Sequence, residues 1–90
     1  MAFLDYEQVV ADGTIKDNTA LTIPALANWA MIQADTENIR YTLDGTTHPV
    51  SGKRLIVGLI PEMVLIQDLK LIRFYREGGS NGNLNIHYGG

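Results

Sequence analysis

The chain has 90 residues, ten acids against seven bases for a net charge of −3, and no cysteine. That is the length of one domain, burying only a little over ~60% of its unfolded surface. Disulfides and thiolate metal sites are excluded, and subunit association is left as the available source of added stability. Two histidines, His48 and His87, are too few for a metal cage, so no metal or cofactor is expected. No basic stripe suggests nucleic acid. The longest apolar runs, such as Leu55-Ile56-Val57-Gly58-Leu59-Ile60, fall far short of the ~20 residues that span a bilayer. The start, Met1-Ala2-Phe3-Leu4-Asp5, lacks a basic leader and meets an acid too early for a signal core. The expectation is a soluble chain made in the cytoplasm.

Residues 1–17 are read as an N-terminal arm or short helix. Phe3, Tyr6, Val9 and Val10 recur at spacings of three and four, as on an amphipathic helix. They suit an extended arm, or a packed edge of the same domain, equally well. Asp5, Glu7, Asp12 and Asp17 make this segment acidic, with Lys16 alone opposing them.

Residues 18–90 read as an all-β domain. Turn signals fall at Asp12-Gly13, Asp17-Asn18, Pro24, Asp35-Thr36, Asp44-Gly45, Ser51-Gly52, Pro61-Glu62, Gln67-Asp68 and Gly78-Gly79-Ser80-Asn81-Gly82. Runs set apart by turns at such short, even intervals predict a β-sandwich or jelly-roll-like barrel of about 7–8 short antiparallel strands. In chain order the strand candidates are Thr19–Ile23, Trp29–Gln33, Ile39–Leu43, Lys53–Leu59, a weaker Met63–Ile66, the Leu71–Tyr75 run, and Leu84–Tyr88. Leu84, Ile86 and Tyr88 alternate with Asn83, Asn85 and His87, and Ile39, Tyr41 and Leu43 alternate with Arg40 and Thr42. Such strands bury one face and wet the other. Trp29–Gln33 and Leu71–Tyr75 are apolar on both faces. They are therefore central, or packed on a neighbouring subunit. Ala25, Leu26, Ala27 and Ala30 make Thr22–Ala34 the rival helix. Asn28 and the β-prone Trp29 interrupt it, leaving one helical turn at Pro24–Asn28.

Catalytic motifs are not found. The glycine cluster lacks the Gly-Lys-Ser/Thr ending of a phosphate loop and joins two strands. Asp35 and Glu37 are solvated turn acids, and the alternating pattern of a calcium loop is absent. No serine lies in Gly-x-Ser-x-Gly. Trp29, Tyr41, Phe74, Tyr75 and Tyr88 could line a sugar-binding face, though core filling accounts for most of them.

Leu21-Thr22-Ile23-Pro24, Ala30-Met31-Ile32-Gln33-Ala34, Asn38-Ile39-Arg40-Tyr41 and Asp44-Gly45-Thr46, with Leu69, Ile72-Arg73-Phe74 and the closing Leu84-Asn85-Ile86-His87-Tyr88, resemble small proteins encoded among tailed-bacteriophage structural genes. The resemblance covers about Ala20 to Tyr88. Met1 to Asp17 lies outside it, and Pro61-Glu62-Met63 departs from its usual glycine-containing turn. It implies a virion component: a head decoration (cement) protein clamping neighbouring subunits of the major capsid protein, or else a tail or fibre part. It carries no active-site residues. A carbohydrate-binding module is the rival from another class. The expected homo-oligomer is a trimer ahead of a dimer, since three-fold sites are natural clamping points. Phe3, Tyr6, Val9, Trp29 and Tyr75 are the expected partner contacts, because their apolar bulk exceeds what a single core needs.

Overall fold

The computed structural model describes residues 3–90; the first two residues of the expected arm lie outside it. Eight strands are described: β1 (Phe3–Ala11), β2 (Lys16–Asp17), β3 (Trp29–Asp35), β4 (Ile39–Thr42), β5 (Lys53–Leu55), β6 (Glu62–Leu65), β7 (Arg73–Arg76) and β8 (Gly82–Gly89). One helical turn, α1 (Ile66–Leu69), joins β6 to β7. The strands form two antiparallel four-stranded sheets. Sheet I has the order β1-β8-β3-β6, and sheet II the order β2-β7-β4-β5. This is the predicted all-β, eight-stranded sandwich. Only β4 and β5 are both consecutive and paired, so nearly every ladder joins distant parts of the chain.

The core is set by period-two alternation. β8 turns Leu84, Ile86 and Tyr88 inward, each at 0% exposure, and β3 turns Ala30, Ile32 and Ala34 the same way. The register places Ala30 opposite Tyr88 and Ala34 opposite Leu84, so small residues of one strand make room for large residues of the next. Sheet II contributes Ile39, Tyr41, Leu55 and Phe74, while Ile66 and Leu69 of α1 and the following Ile72 join the same buried cluster.

The N-terminal segment is neither a helix nor a separate unit. Phe3–Ala11 is an edge strand of sheet I, paired with β8 along its length. The three-and-four spacing of Phe3, Tyr6 and Val9 belongs to a strand whose register shifts between Phe3 and Asp5. That irregularity breaks the simple alternation. Four further expectations change. Thr19–Ile23 is not a strand: Asn18–Ala20 is a 3-10 turn capped by the Asp17 carboxylate, which accepts from the Thr19 N–H. The strand begun at Lys53 stops at Leu55, and Gly58 turns the chain with φ +85°. Gln67-Asp68 lies inside α1. At Pro24–Asn28 the expected helical turn is a simple hydrogen-bonded turn instead, the Ala27 N–H donating to the Pro24 carbonyl at 3.1 Å.

One buried hydroxyl fixes β1. Tyr88 is fully buried, and its phenol donates to Glu7 Oε2 at 2.5 Å. The same oxygen accepts the Thr22 N–H at 2.7 Å, tying the edge strand to the loop after β2. Burial, then the Glu7 hydrogen bond and charge, push the Tyr88 phenol well above the ordinary tyrosine value; burial and Glu62 do the same to Tyr41. Glu7→Ala leaves the buried Tyr88 hydroxyl without an acceptor and should cost about 1–3 kcal/mol in urea melts. Adding Tyr88→Phe should cost less than the sum of the two single changes. Both phenols are raised in the folded state, so their stabilisation is complete below pH ~10 and lost as pH rises beyond it. The urea midpoint should therefore fall above pH ~10, and less steeply in Tyr88→Phe.

Candidate functional site: the outer face of sheet I

If Ala30, Ile32, Leu84, Ile86 and Val64 point into the sandwich, their strand neighbours point out. The register aligns those neighbours in rows across sheet I. One row runs Phe3, Gly89, Trp29, Leu65, and the next runs Tyr6, His87, Met31, Met63. Then come Gln8, Asn85 and Gln33, and last Val10, Asn83 and Asp35. Asp35, at the far margin, is the only charged residue among these positions. The opposite face of the sandwich differs. There Arg40, Arg54, Arg73 and Tyr75 stand on sheet II, Arg54 paired with Glu77 at 2.8 Å and Arg73 donating to the Thr46 carbonyl at 2.6 Å.

The apolar rows are partly open to solvent: Met63 is 66% exposed, Phe3 62%, Leu65 47% and Tyr6 46%. The rings touch. Phe3 meets Trp29 edge-on with centroids 5.4 Å apart, and His87 lies 5.3 Å from Phe3 and 4.6 Å from Tyr6. Gly89 makes the arrangement possible. A Cβ there would stand 2.0 Å from Trp29 Cζ2, so the indole lies directly over the glycine while Phe3 closes from the other side. The indole N–H is covered and finds no acceptor among the described residues. Gln8 Nε2 donates to Asn85 Oδ1 at 2.8 Å, so the amide row is ordered as well. Aromatic rings and methionine with charge excluded is the composition of the centre of a protein–protein interface.

Three of the five expected contact residues therefore meet on one surface: Phe3, Tyr6 and Trp29. Val9 does not join them; it shares the inward side of β1 with Glu7 and Ala11 and packs on the core. Tyr75 stands on sheet II, edge-on to His48 at 5.7 Å. Met31, Met63, Leu65 and His87 complete the face and were not singled out from the sequence. Met31 shares its strand and parity with Trp29, a signal available in the sequence, whereas Met63, Leu65 and His87 reach the face only through inter-strand register. Of the supposed sugar-binding aromatics, Tyr41, Phe74 and Tyr88 are buried in the core.

A second feature is an open cleft of about 600 Å³ between β6 and the β4–β5 hairpin, lined by Tyr41, Leu43, Asp44, Lys53, Glu62 and Val64 among others. Its polar groups satisfy one another. Glu62 Oε2 accepts from the Tyr41 hydroxyl and from Lys53 Nζ at 3.1 Å. Asp44 accepts from the Thr47 hydroxyl and amide and from the Thr46 amide, which hold its carboxyl down to about 2. Among the described residues no three His, Asp or Glu side chains gather in a metal-holding group, and no helix is long and apolar enough to cross a membrane.

No family model, curated protein or solved structure matches this chain.

Trp29 is the only tryptophan, so its emission reports on this face. Gly89→Ala should displace the indole, shift the emission to the red and cost about 1–3 kcal/mol, the usual penalty of overpacking. An unchanged spectrum in a folded variant contradicts the placement of Trp29 over Gly89.

Proposed function

We propose that this chain is a non-catalytic structural protein that works by protein–protein docking through the outer face of sheet I, and that its place is the shell of a tailed-phage virion, as a decoration protein on the major capsid protein. The observation that carries the docking reading is the face itself: two rows of aromatic, methionine and leucine side chains with no charge among them. A solvated sheet face in a monomer alternates polar residues outward, and this one departs from that rule in the rows where its rings cluster.

The virion assignment rests on the resemblance of Ala20–Tyr88 to small tailed-phage structural proteins. Shell assembly supplies the physical fit. A shell repeats one contact many times, so a modest interface per copy suffices by multivalency. The sugar-binding alternative is less well supported. A sugar stacks on rings lying flat in the plane of the face, whereas Phe3 is inclined by 68° to Trp29 and by 60° to His87.

The test is imaging of the purified chain mixed with capsids of its parent phage, beside Met31→Lys and a Phe3→Ala/Tyr6→Ala pair. Regular density on the capsid, with occupancy lost in Met31→Lys and reduced in the alanine pair while circular dichroism stays unchanged, is the expected result. Bare capsids at saturating protein overturn the shell assignment. Density confined to the tail replaces decoration with a tail role.

A further inference from the structure

We infer that the outer face of sheet I is where two copies of this chain meet, packed sheet on sheet about a two-fold axis through the Tyr6–His87–Met31–Met63 row. The inference rests on the reading of that face as a docking surface and names its occupant as a second copy. The capsid then holds the dimer through surface outside this face, and Met31→Lys empties the capsid by removing the second foothold.

Charge makes the first argument. The chain carries a net charge of −3, so two copies repel wherever charged surfaces approach. About a two-fold axis each side chain meets the same patch on its partner, so any charge near the axis faces its like. The outer face of sheet I meets that condition. Its only charge, Asp35, lies in the last row, away from the Tyr6–His87–Met31–Met63 centre. A face built for a different protein ordinarily carries charges that complement that partner and fix its register. Here the polar groups are instead the amides Gln8, Asn85 and Gln33. These amides are held within the chain, Gln8 Nε2 donating to Asn85 Oδ1 at 2.8 Å and Gln33 Nε2 to the Leu59 carbonyl at 3.2 Å, and being uncharged they do not repel a like surface.

Geometry makes the second. Face-to-face packing of sheets sets them about 10 Å apart with side chains interdigitating, which suits Met31, Met63 and the tilted rings. A flat face admits one other flat face, so the contact closes at two copies and not three. Four strands at ~4.8 Å spacing and up to nine residues at ~3.4 Å give roughly 500 Å² per copy, or about 1,000 Å² for the pair. That lies at the small end of specific interfaces, fitting a reversible dimer rather than an obligate one.

Edge pairing is the competing route, and β1 is blunted against it. The outward-facing Tyr6 N–H is taken by the Asp5 carboxylate at 2.8 Å, and the Val10 carbonyl by Lys16 Nζ at 2.7 Å. Charged groups seated on an edge backbone deter a second strand from adding there.

The experiment is sedimentation of the full chain over a dilution series from high micromolar to nanomolar, with Trp29 emission followed on the same samples. Dimer at the concentrated end is expected, with emission moving to the red as dilution separates the copies. Met31→Lys, and independently Met63→Lys at the more exposed site, should weaken the dimer at least about tenfold with circular dichroism retained. Lys70→Glu, a charge change away from the face, should leave it intact. A wild-type chain that is monomeric throughout overturns the inference, as does a dimer that survives both folded lysine variants. Capsid occupancy that Met31→Lys still abolishes in a monomeric chain would leave the docking reading standing while removing the second copy.

Discussion

Tyr88 cannot be buried without an acceptor for its hydroxyl, and Glu7 provides one. Tyr88 is fully buried near the end of β8, a strand with neighbours on both sides. The acceptor comes from 81 residues away in sequence, so satisfying one group brings the N-terminal strand onto the sheet. Once Glu7 is turned inward toward Tyr88, the period of the strand settles the rest. Val9 and Ala11 follow it inward, and Tyr6 and Gln8 are committed to the outside. A slip of one residue would bury Tyr6 and Gln8 and expose Glu7 and Val9. The outer aromatic face is thus a consequence of how a core hydroxyl is satisfied.

The same constraint explains why the ends of the chain are tied together. β1 and β8 run antiparallel side by side, bringing Phe3 next to Gly89, where Trp29 already lies. A side chain at residue 89 would leave no place for the indole, and without the indole Phe3 would keep only the His87 ring. Glycine in a strand is ordinarily a weakness, because it packs nothing and loses more entropy on ordering. Here the Trp29 indole covers it. Sheet II shows the contrast. Its arginines are held by Glu77 and by backbone carbonyls, so its charges are spent within the molecule and its surface remains a solvated face.

Strands with one dry and one wet face were legible in the sequence. Leu84–Tyr88 and Ile39–Thr42 alternate cleanly, and their buried and exposed residues fall as the pattern requires. The ends of strands were less legible because they depend on backbone devices. Lys53–Leu55 stops early where the chain must turn through Gly58, and Asn18–Ala20 closes into a 3-10 turn because Asp17 caps it. β1 was ambiguous for a different reason. Its inward side carries Glu7, and an acid on an inner face erases the alternation by which a strand is recognised. Only the tertiary partner, Tyr88, explains Glu7. The site was half legible. Aromatic bulk marked Phe3, Tyr6 and Trp29, and strand parity sets Met31 beside Trp29, but Met63, Leu65 and His87 join them only through register, which no local pattern encodes.

Size links the face to the core. Ala11, Ala30 and Ala34 occupy fully or nearly fully buried positions, so part of the interior is lined by side chains with little surface to contribute. In sheet I, β3 turns two alanines inward beside Ile32, while its bulkiest members, Trp29 and Met31, are outside. A larger core would require the opposite assignment, and the register that seats Tyr88 against Ala30 forbids it. Hydrophobic surface that cannot be placed within one sandwich is available only to a neighbour. For a chain with no cysteine and a narrow core, burying that surface against another molecule is the remaining large source of stability. The alternation of small and large residues that packs the interior of β3 against β8 therefore leaves Trp29 and Met31 on the outer side of β3, as apolar surface that the sandwich itself does not cover.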